Sequence, residues 1–313
     1  MNWLKQGKVF CANGESSKMF SHAQIPFIYK SGDGAVQRIY FSARDEDGKT
    51  YPFYLDYDFD SRRVVYVEKT PLLEHGALGT FDDSGIMPSS IVEVGESLYM
   101  YYIAWNPQVT VSYRLSIGLA ISVDRGRTFK KYSEGPLLDR GLDEIYFNTA
   151  PCVIRDEEIF KMWYVSCTGW TIVEGKPEPL YLIRYAESID GIHWSKTTAP
   201  VIDYKFEGEA IGRPWVVKEN GLYHMWYSTR GSINYRSKDG EHYTIGYAIS
   251  QDGINWTRDD EKEGISTSEE GWDSEMIEYC SITRLSDDKF VMLYNGNSFG
   301  ASGFGIAVRS NCA

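Results

Sequence analysis

Gly212-Arg213-Pro214-Trp215-Val216-Val217, Met225-Trp226-Tyr227, Ile245-Gly246-Tyr247-Ala248 and Trp256 follow one another along the chain with turn residues between them. Each is short, rich in β-branched or aromatic residues and bounded by Gly, Asn or Asp, so the stretch reads as four strands joined by turns. The first of these strands recurs as Ile25-Pro26-Phe27-Ile28, Met87-Pro88-Ser89-Ser90-Ile91, Ala150-Pro151-Cys152-Val153-Ile154 and Tyr279-Cys280-Ser281-Ile282. With Pro as anchor, and Cys280 in its place in the last copy, the steps are 88−26 = 62, 151−88 = 63, 214−151 = 63 and 280−214 = 66. The second strand recurs as Ile39-Tyr40-Phe41, Met100-Tyr101-Tyr102, Met162-Trp163-Tyr164 and Met292-Leu293-Tyr294. The third recurs as Ile117-Gly118-Leu119-Ala120, Ile183-Arg184-Tyr185-Ala186 and Phe304-Gly305-Ile306-Ala307, and the short fourth carries Phe129 and Trp194. A sustained period of this length with four strands per copy is the pattern of propeller blades.

The last copy lacks a fourth strand, because the sequence given stops six residues after Ala307. Asn2-Trp3-Leu4-Lys5 repeats the form of His193-Trp194-Ser195-Lys196 and Asn255-Trp256-Thr257-Arg258. The expected fold is therefore an all-β, five-bladed β-propeller of four-stranded antiparallel blades. In it, residues 2–10 complete the C-terminal blade and close the ring, leaving no open sheet edge. No composition shift divides the chain, and residues 1–313 read as one domain.

The bulk numbers narrow the function classes. A net charge of −12 without a dense Lys/Arg run speaks against nucleic acid as a partner. No stretch of about 18 apolar residues is present and residues 1–8 lack an apolar leader core, so the expectation is a protein with no membrane partner, located in the cytoplasm. Five scattered cysteines without a C-x-x-C pair suggest reduced thiols and no zinc. No cofactor or metal is implied, although an axial Ca²⁺ would leave the same sequence. Aromatic residues make up 15% of the chain, which suits both sheets and stacking on sugar rings.

In a propeller the start of each first strand and the end of each second strand meet on one face. Five positions before the anchors stand Asp83, Glu209 and Glu275; nearer are His22, Asn148, Arg213 and Glu278. The ends of the second strands add Arg44, Trp105, Asn106, Trp170, Arg230 and Asn297. Carboxylates facing one another across a channel are what acid-catalysed glycoside cleavage needs, one to protonate the leaving oxygen and one to activate water. Bland accounts compete. Arg213 with Glu209 or Glu275 fits a structural ion pair, His22 a hydrogen-bonding spacer, Trp105 and Trp170 packing between blades, and Asp82-Asp83 a loop cap.

The spacing, the closing N-terminal strand and the aromatic second strands resemble the propellers of glycoside hydrolase families 43, 32 and 68, and more loosely family 130. Ser122 to Phe129 is similar to the Asp-box turn of sialidase-like propellers. The resemblance implies a base near the start of one inner strand, a second Asp two blades on, and an acid two positions before the next anchor. Those places fall on Asp83, Arg213 and Glu278. Arg213 thus reverses the expected charge. The reading that follows is an inverting glycoside hydrolase-like enzyme acting on a small or charged glycan, with Glu278 or Glu275 as acid, Asp83 as base, and Arg213 and Arg230 on substrate. A phosphate-dependent phosphorylase or sugar-nucleotide enzyme, with a sugar-phosphate partner, and a non-catalytic carbohydrate-binding propeller are the alternatives.

Overall fold

The computed structural model describes residues 3–310 apart from 31, 263 and 288, so Asn2 and Cys312 lie outside the described residues. The chain begins with β1 (Leu4–Phe10), β2 (Ala12–Ser16), β3 (Met19–Tyr29), β4 (Val36–Arg44), β5 (Thr50–Asp58) and β6 (Arg63–Val67). It continues with β7 (Gly85–Val94), β8 (Ser97–Pro107), β9 (Tyr113–Ser122) and β10 (Lys130–Lys131), then β11 (Asn148–Asp156), β12 (Ile159–Val173), β13 (Lys176–Ser188) and β14 (Ser195–Lys196). After β15 (Ala210–Glu219), β16 (Leu222–Arg230), β17 (Thr244–Ser250) and β18 (Trp256–Arg258) come β19 (Glu278–Ser286), β20 (Lys289–Asn295), the short turn α1 (Asn297–Gly300) and β21 (Phe304–Ser310).

The protein is all-β, built of four-stranded antiparallel sheets in the order β11-β12-β13-β14, β15-β16-β17-β18 and β19-β20-β21-β1. In the last, β1 pairs antiparallel with β21, Leu4 opposite Val308 and Phe10 opposite Phe304. The first two repeats differ from a plain pair of four-stranded sheets. One parallel bridge, Thr50 to Gly85, joins β5 to β7 and merges them into a nine-stranded sheet, with β2 and β6 as additional strands. The fourth strands are also shorter than a full blade strand, β10 and β14 having two residues each, and they begin after Phe129 and Trp194.

The anchor has a structural meaning. Every first strand is bulged there, between Gln24 and Phe27, Pro88 and Ser90, Thr149 and Cys152, Gly212 and Trp215, and Glu278 and Ser281. Proline has no N–H to give a ladder, so a bulge is where a strand tolerates it. In four copies the residue before the anchor takes positive φ: Ile25 (54°), Ala150 (48°), Arg213 (52°) and Tyr279 (54°). That region disfavours side chains, and a bulge there redirects the one it holds.

Neighbouring repeats are pinned by recurring bonds. Second-strand rings donate to the turn glycine of the next repeat, Tyr40 to Gly126 O (3.0 Å), Tyr101 to Gly191 O (2.8 Å) and Trp163 to Gly253 O (2.8 Å). The strands β3, β7, β11, β15 and β19 touch in that order, and β19 also touches β3. Between these two strands Ser281 Oγ donates to Pro26 O at 2.8 Å. From the neighbouring β20, Asn295 Oδ1 accepts the Ile25 amide, also at 2.8 Å.

Each four-stranded unit also holds a carboxylate, buried in three of them and partly exposed at Asp260, against its second-strand tyrosine and a fourth-strand cation. Asp82 accepts from Tyr102 and pairs with Lys131 at 2.6 Å; Glu144 accepts from Tyr164 and pairs with Lys196 at 2.6 Å. Asp260 accepts from Tyr227 and pairs with Arg258, which also holds Glu209 at 2.7 Å. Asp273 accepts from Tyr294 and pairs at 2.6 Å with Lys5, so β1 supplies to the last unit what β10, β14 and β18 supply to theirs. The Asp/Gly turns are structural as expected: Asp124, Asp190 and Asp252 each accept backbone amides of their own turn.

Candidate active site

The redirected side chains converge. Ile25, Met87, Ala150, Arg213 and Tyr279, the residues just before the anchors of β3, β7, β11, β15 and β19, line one cavity of about 350 Å³. Its aromatic wall includes Trp105 from β8, Tyr113 from β9, Tyr181 from β13, Tyr243, Phe147 and Phe299. Such a volume lies in the range of small-ligand pockets, and flat rings with hydroxyl tips suit a polyol with apolar faces.

Four arginines line the cavity: Arg44, Arg213, Arg230 and Arg236. No Asp or Glu is among its lining residues. Arg236 pairs with Glu178 at 2.7 Å; among the described residues the other three make no ion pair. Each of the three Arg230 nitrogens nevertheless donates a hydrogen bond, to Tyr243 OH (3.1 Å), Gly231 O (2.8 Å) and Pro179 O (3.0 Å), with the guanidinium 3.7 Å from the Tyr235 ring centre. Arg44 donates to Gln24 Oε1 at 3.2 Å, and burial pulls its pKa down. Arg213 is 1% exposed and stacks over Trp215 at 5.1 Å, yet none of its three nitrogens has a hydrogen-bond partner. Burial pulls its pKa to about 10, against the opposing pull of Cys152, Cys280 and Tyr279.

Glu278 is fully enclosed, and both carboxyl oxygens fall short of hydrogen-bond geometry. Burial raises its pKa far above the carboxylate range, outweighing the Phe299 amide, Arg230 and Tyr279, all three of which belong to cavity-wall residues. Glu278 does not itself line the cavity.

The other candidates are spread wider. Trp105 lines the cavity with its indole N–H on Thr50 Oγ1 at 2.8 Å; Trp170 stands outside it, edge-on to Tyr113 (5.6 Å) and Phe147 (6.0 Å). Asp83 accepts the Gly79 amide (2.7 Å) and Ser84 Oγ (2.9 Å) in the loop before β7. Glu209 is held by Arg258 and Thr229, so the ion pair weighed for Arg213 is made elsewhere. Burial raises the Glu209 pKa, but Arg258, the Lys205 amide and Thr229 outweigh it and hold the group charged. Glu275 is exposed, its amide capped by Asn297 Oδ1 at 2.8 Å. Asn106 donates to Thr80 O and Asn148 to Glu144 and Asp139. His22 bonds Ser21 Oγ at 3.0 Å; burial, then Arg44, lower its pKa to about 4, so it is neutral at pH 7. None of these residues except Trp105 lines the cavity.

Tyr113, Tyr181 and Tyr243 were not foreseen. Tyr113 and Tyr243 stand at or just before the start of a third strand, which begins on the face where the second strand ends, and that placement was a usable signal; Tyr181 lies six residues into the longer β13. Among the described residues, no group of three or more His, Cys, Asp or Glu is placed to hold a metal, and no helix is long and apolar enough to cross a membrane.

Known proteins share this fold. A solved glycoside hydrolase superposes over 99% of this chain and 93% of its own with a TM-score of 0.73 at 16% identity. A thermostable family-43 glycoside hydrolase does so over 99% and 91%, with a TM-score of 0.66 at 17% identity. No family model matches the chain. The chain thus has the fold of these glycoside hydrolases. It is a member of the family of the uncharacterized protein Rv1502 of Mycobacterium tuberculosis, to which it is 37% identical over 99% of its length and 100% of the relative's. A shorter stretch, 31% of the chain and 33% of the relative, is 32% identical to a β-1,2-mannobiose phosphorylase of Thermoanaerobacter.

Proposed function

We propose that residues 1–313 form one closed ring of five blades whose central cavity binds a carbohydrate and cleaves a glycosidic bond, with Glu278 as proton donor. The contacts of β19 with β3, the Ser281 to Pro26 bond and the Lys5–Asp273 pair support closure. The observation that carries the function is the convergence of five anchor-preceding residues on one ring-lined cavity, with a buried carboxyl whose pKa is raised beside its wall. A carboxyl kept neutral by burial has the protonation state a general acid needs.

Two nucleophiles are compatible with this acid. In the hydrolytic, inverting reading Asp83 activates water, which asks for carboxyls about 6.5–9.5 Å apart with water between them. In the second reading inorganic phosphate is the nucleophile and no base is required. The lining favours the second, since it holds arginines and no carboxylate, and the stretch similar to a phosphorylase agrees with it. The test is a screen of oligosaccharides and sugar nucleotides, with and without phosphate, on wild type and Glu278→Gln. Product from wild type only, and only with phosphate, supports the second reading. Equal product from both proteins removes Glu278, and binding without product leaves a carbohydrate-binding propeller.

A further inference from the structure

The cavity holds a charge that the fold does not use. Every carboxylate of the repeated triads has a cation and a tyrosine. Arg230 lacks a carboxylate but has each of its nitrogens bonded to a carbonyl or a hydroxyl. Arg213 has neither: a guanidinium with five N–H donors lies 1% exposed at the cavity wall with no acceptor. Burying an ion in this state is among the most unfavourable things a fold can do, and natural interiors avoid it unless a partner arrives. The backbone is also held in the left-handed region at that residue, φ 52°, which aims the side chain where it stands. Its surroundings are thiols and rings, Cys152, Cys280, Tyr279 and Trp215, none of which neutralises it. Arg44 lies nearby on the same cavity, since both arginines interact with Tyr279.

We infer that Arg213 is the anchor of an oxyanion subsite in the cavity, and that the ligand presents a phosphate or carboxylate group there, with Arg44 as the second cation. This rests on the cavity being the binding site proposed above and adds the chemical class of what it binds. The guanidinium fork matches two oxygens of such a group at once, which a neutral sugar hydroxyl does not. The overall charge of −12 does not oppose this, because the cavity is locally positive.

The test measures binding without turnover. Titration calorimetry in phosphate- and sulfate-free buffer is run on the full chain with inorganic phosphate, glucose 1-phosphate, mannose 1-phosphate, glucuronate and glucose. Wild type is expected to bind at least one oxyanion probe at least tenfold more tightly than glucose. Arg213→Met is expected to weaken that binding on the order of 10- to 100-fold, and Arg213→Lys to recover part of it. Inorganic phosphate as the best probe marks a free oxyanion as the occupant, and a sugar-linked or carboxylate probe marks an acidic sugar; either supports the subsite. Failure of every oxyanion probe to bind, or binding by Arg213→Met within threefold of wild type, overturns it. Should Arg213→Met not fold, judged by near-ultraviolet circular dichroism, Arg213→Gln decides by the same threefold criterion. Loss of cleavage activity with oxyanion binding intact would sink the enzymatic reading and leave this one standing.

Discussion

The tyrosine-carboxylate-cation triads and two arginines of the cavity, Arg213 and Arg44, are built from the same kinds of side chain, and they are wired in opposite ways. In the triads, Lys131, Lys196, Arg258 and Lys5 each meet a carboxylate that also accepts a tyrosine hydroxyl. In the cavity, Arg213 has no acceptor and Arg44 no carboxylate. Repetition explains the first arrangement: a bond made once per unit serves the unit, not a ligand. An unrepeated and unsatisfied charge has no such explanation, and only a partner brought from outside completes it. Buried charge therefore marks function here only where it departs from the repeat.

The triads offer the largest effect with which to challenge that contrast. Lys131→Met strands Asp82, whose side chain is 1% exposed, and is expected to lower unfolding stability by about 3 kcal/mol in urea denaturation. Lys5→Met is expected to cost nearly as much through Asp273, since β1 stands in the last unit where β10 stands in its own. A negligible effect for Lys5→Met would mean that the N-terminal strand does not hold the last unit together. Restoring neutrality with Lys131→Met and Asp82→Asn together should recover part of the loss.

A smaller effect concerns Glu278. Its folded pKa is raised, so the native state keeps a proton that the unfolded chain gives up, and stability falls as pH climbs from the ordinary carboxylate range towards the folded pKa. Glu278→Gln removes that slope: it should match wild type near pH 4 and exceed it near pH 8. Denaturation midpoints across that range check it, and parallel curves would mean the carboxyl is charged. The smallest effect belongs to His22, whose pKa is lowered to about 4. The unfolded chain takes up a proton below about 6.5 that the native state refuses, so stability declines as pH falls from there towards 4. His22→Gln should blunt this acid loss and leave stability at pH 8 unchanged.

Much of the architecture was legible because the anchors recur at steps of 62, 63, 63 and 66. Even the triad cations had a signal, a basic residue two places after the aromatic in Phe129-Lys130-Lys131, Trp194-Ser195-Lys196, Trp256-Thr257-Arg258 and Trp3-Leu4-Lys5. The site was less legible. Counting back five from the anchor led to Asp83, Glu209 and Glu275, whereas the bulge brings the residue immediately before the anchor into the cavity. A strand's alternation fixes which side chains share a face only while its register holds, and one inserted residue breaks that rule where the chemistry gathers. Arg213 was singled out for reversing an expected charge, and its missing partner emerged only in three dimensions, because Glu209 is nearer in sequence yet is held by Arg258.

The most direct test of the contrast is to denature Arg213→Met and Lys131→Met side by side in buffer free of phosphate, sulfate and sugar. The wiring described here predicts opposite signs, with Lys131→Met well below wild type and Arg213→Met at or above it, since an apolar side chain relieves an unmet burial. Equal losses in both would show that Arg213 is held by the fold itself, and would contradict the claim that its charge is kept for a ligand.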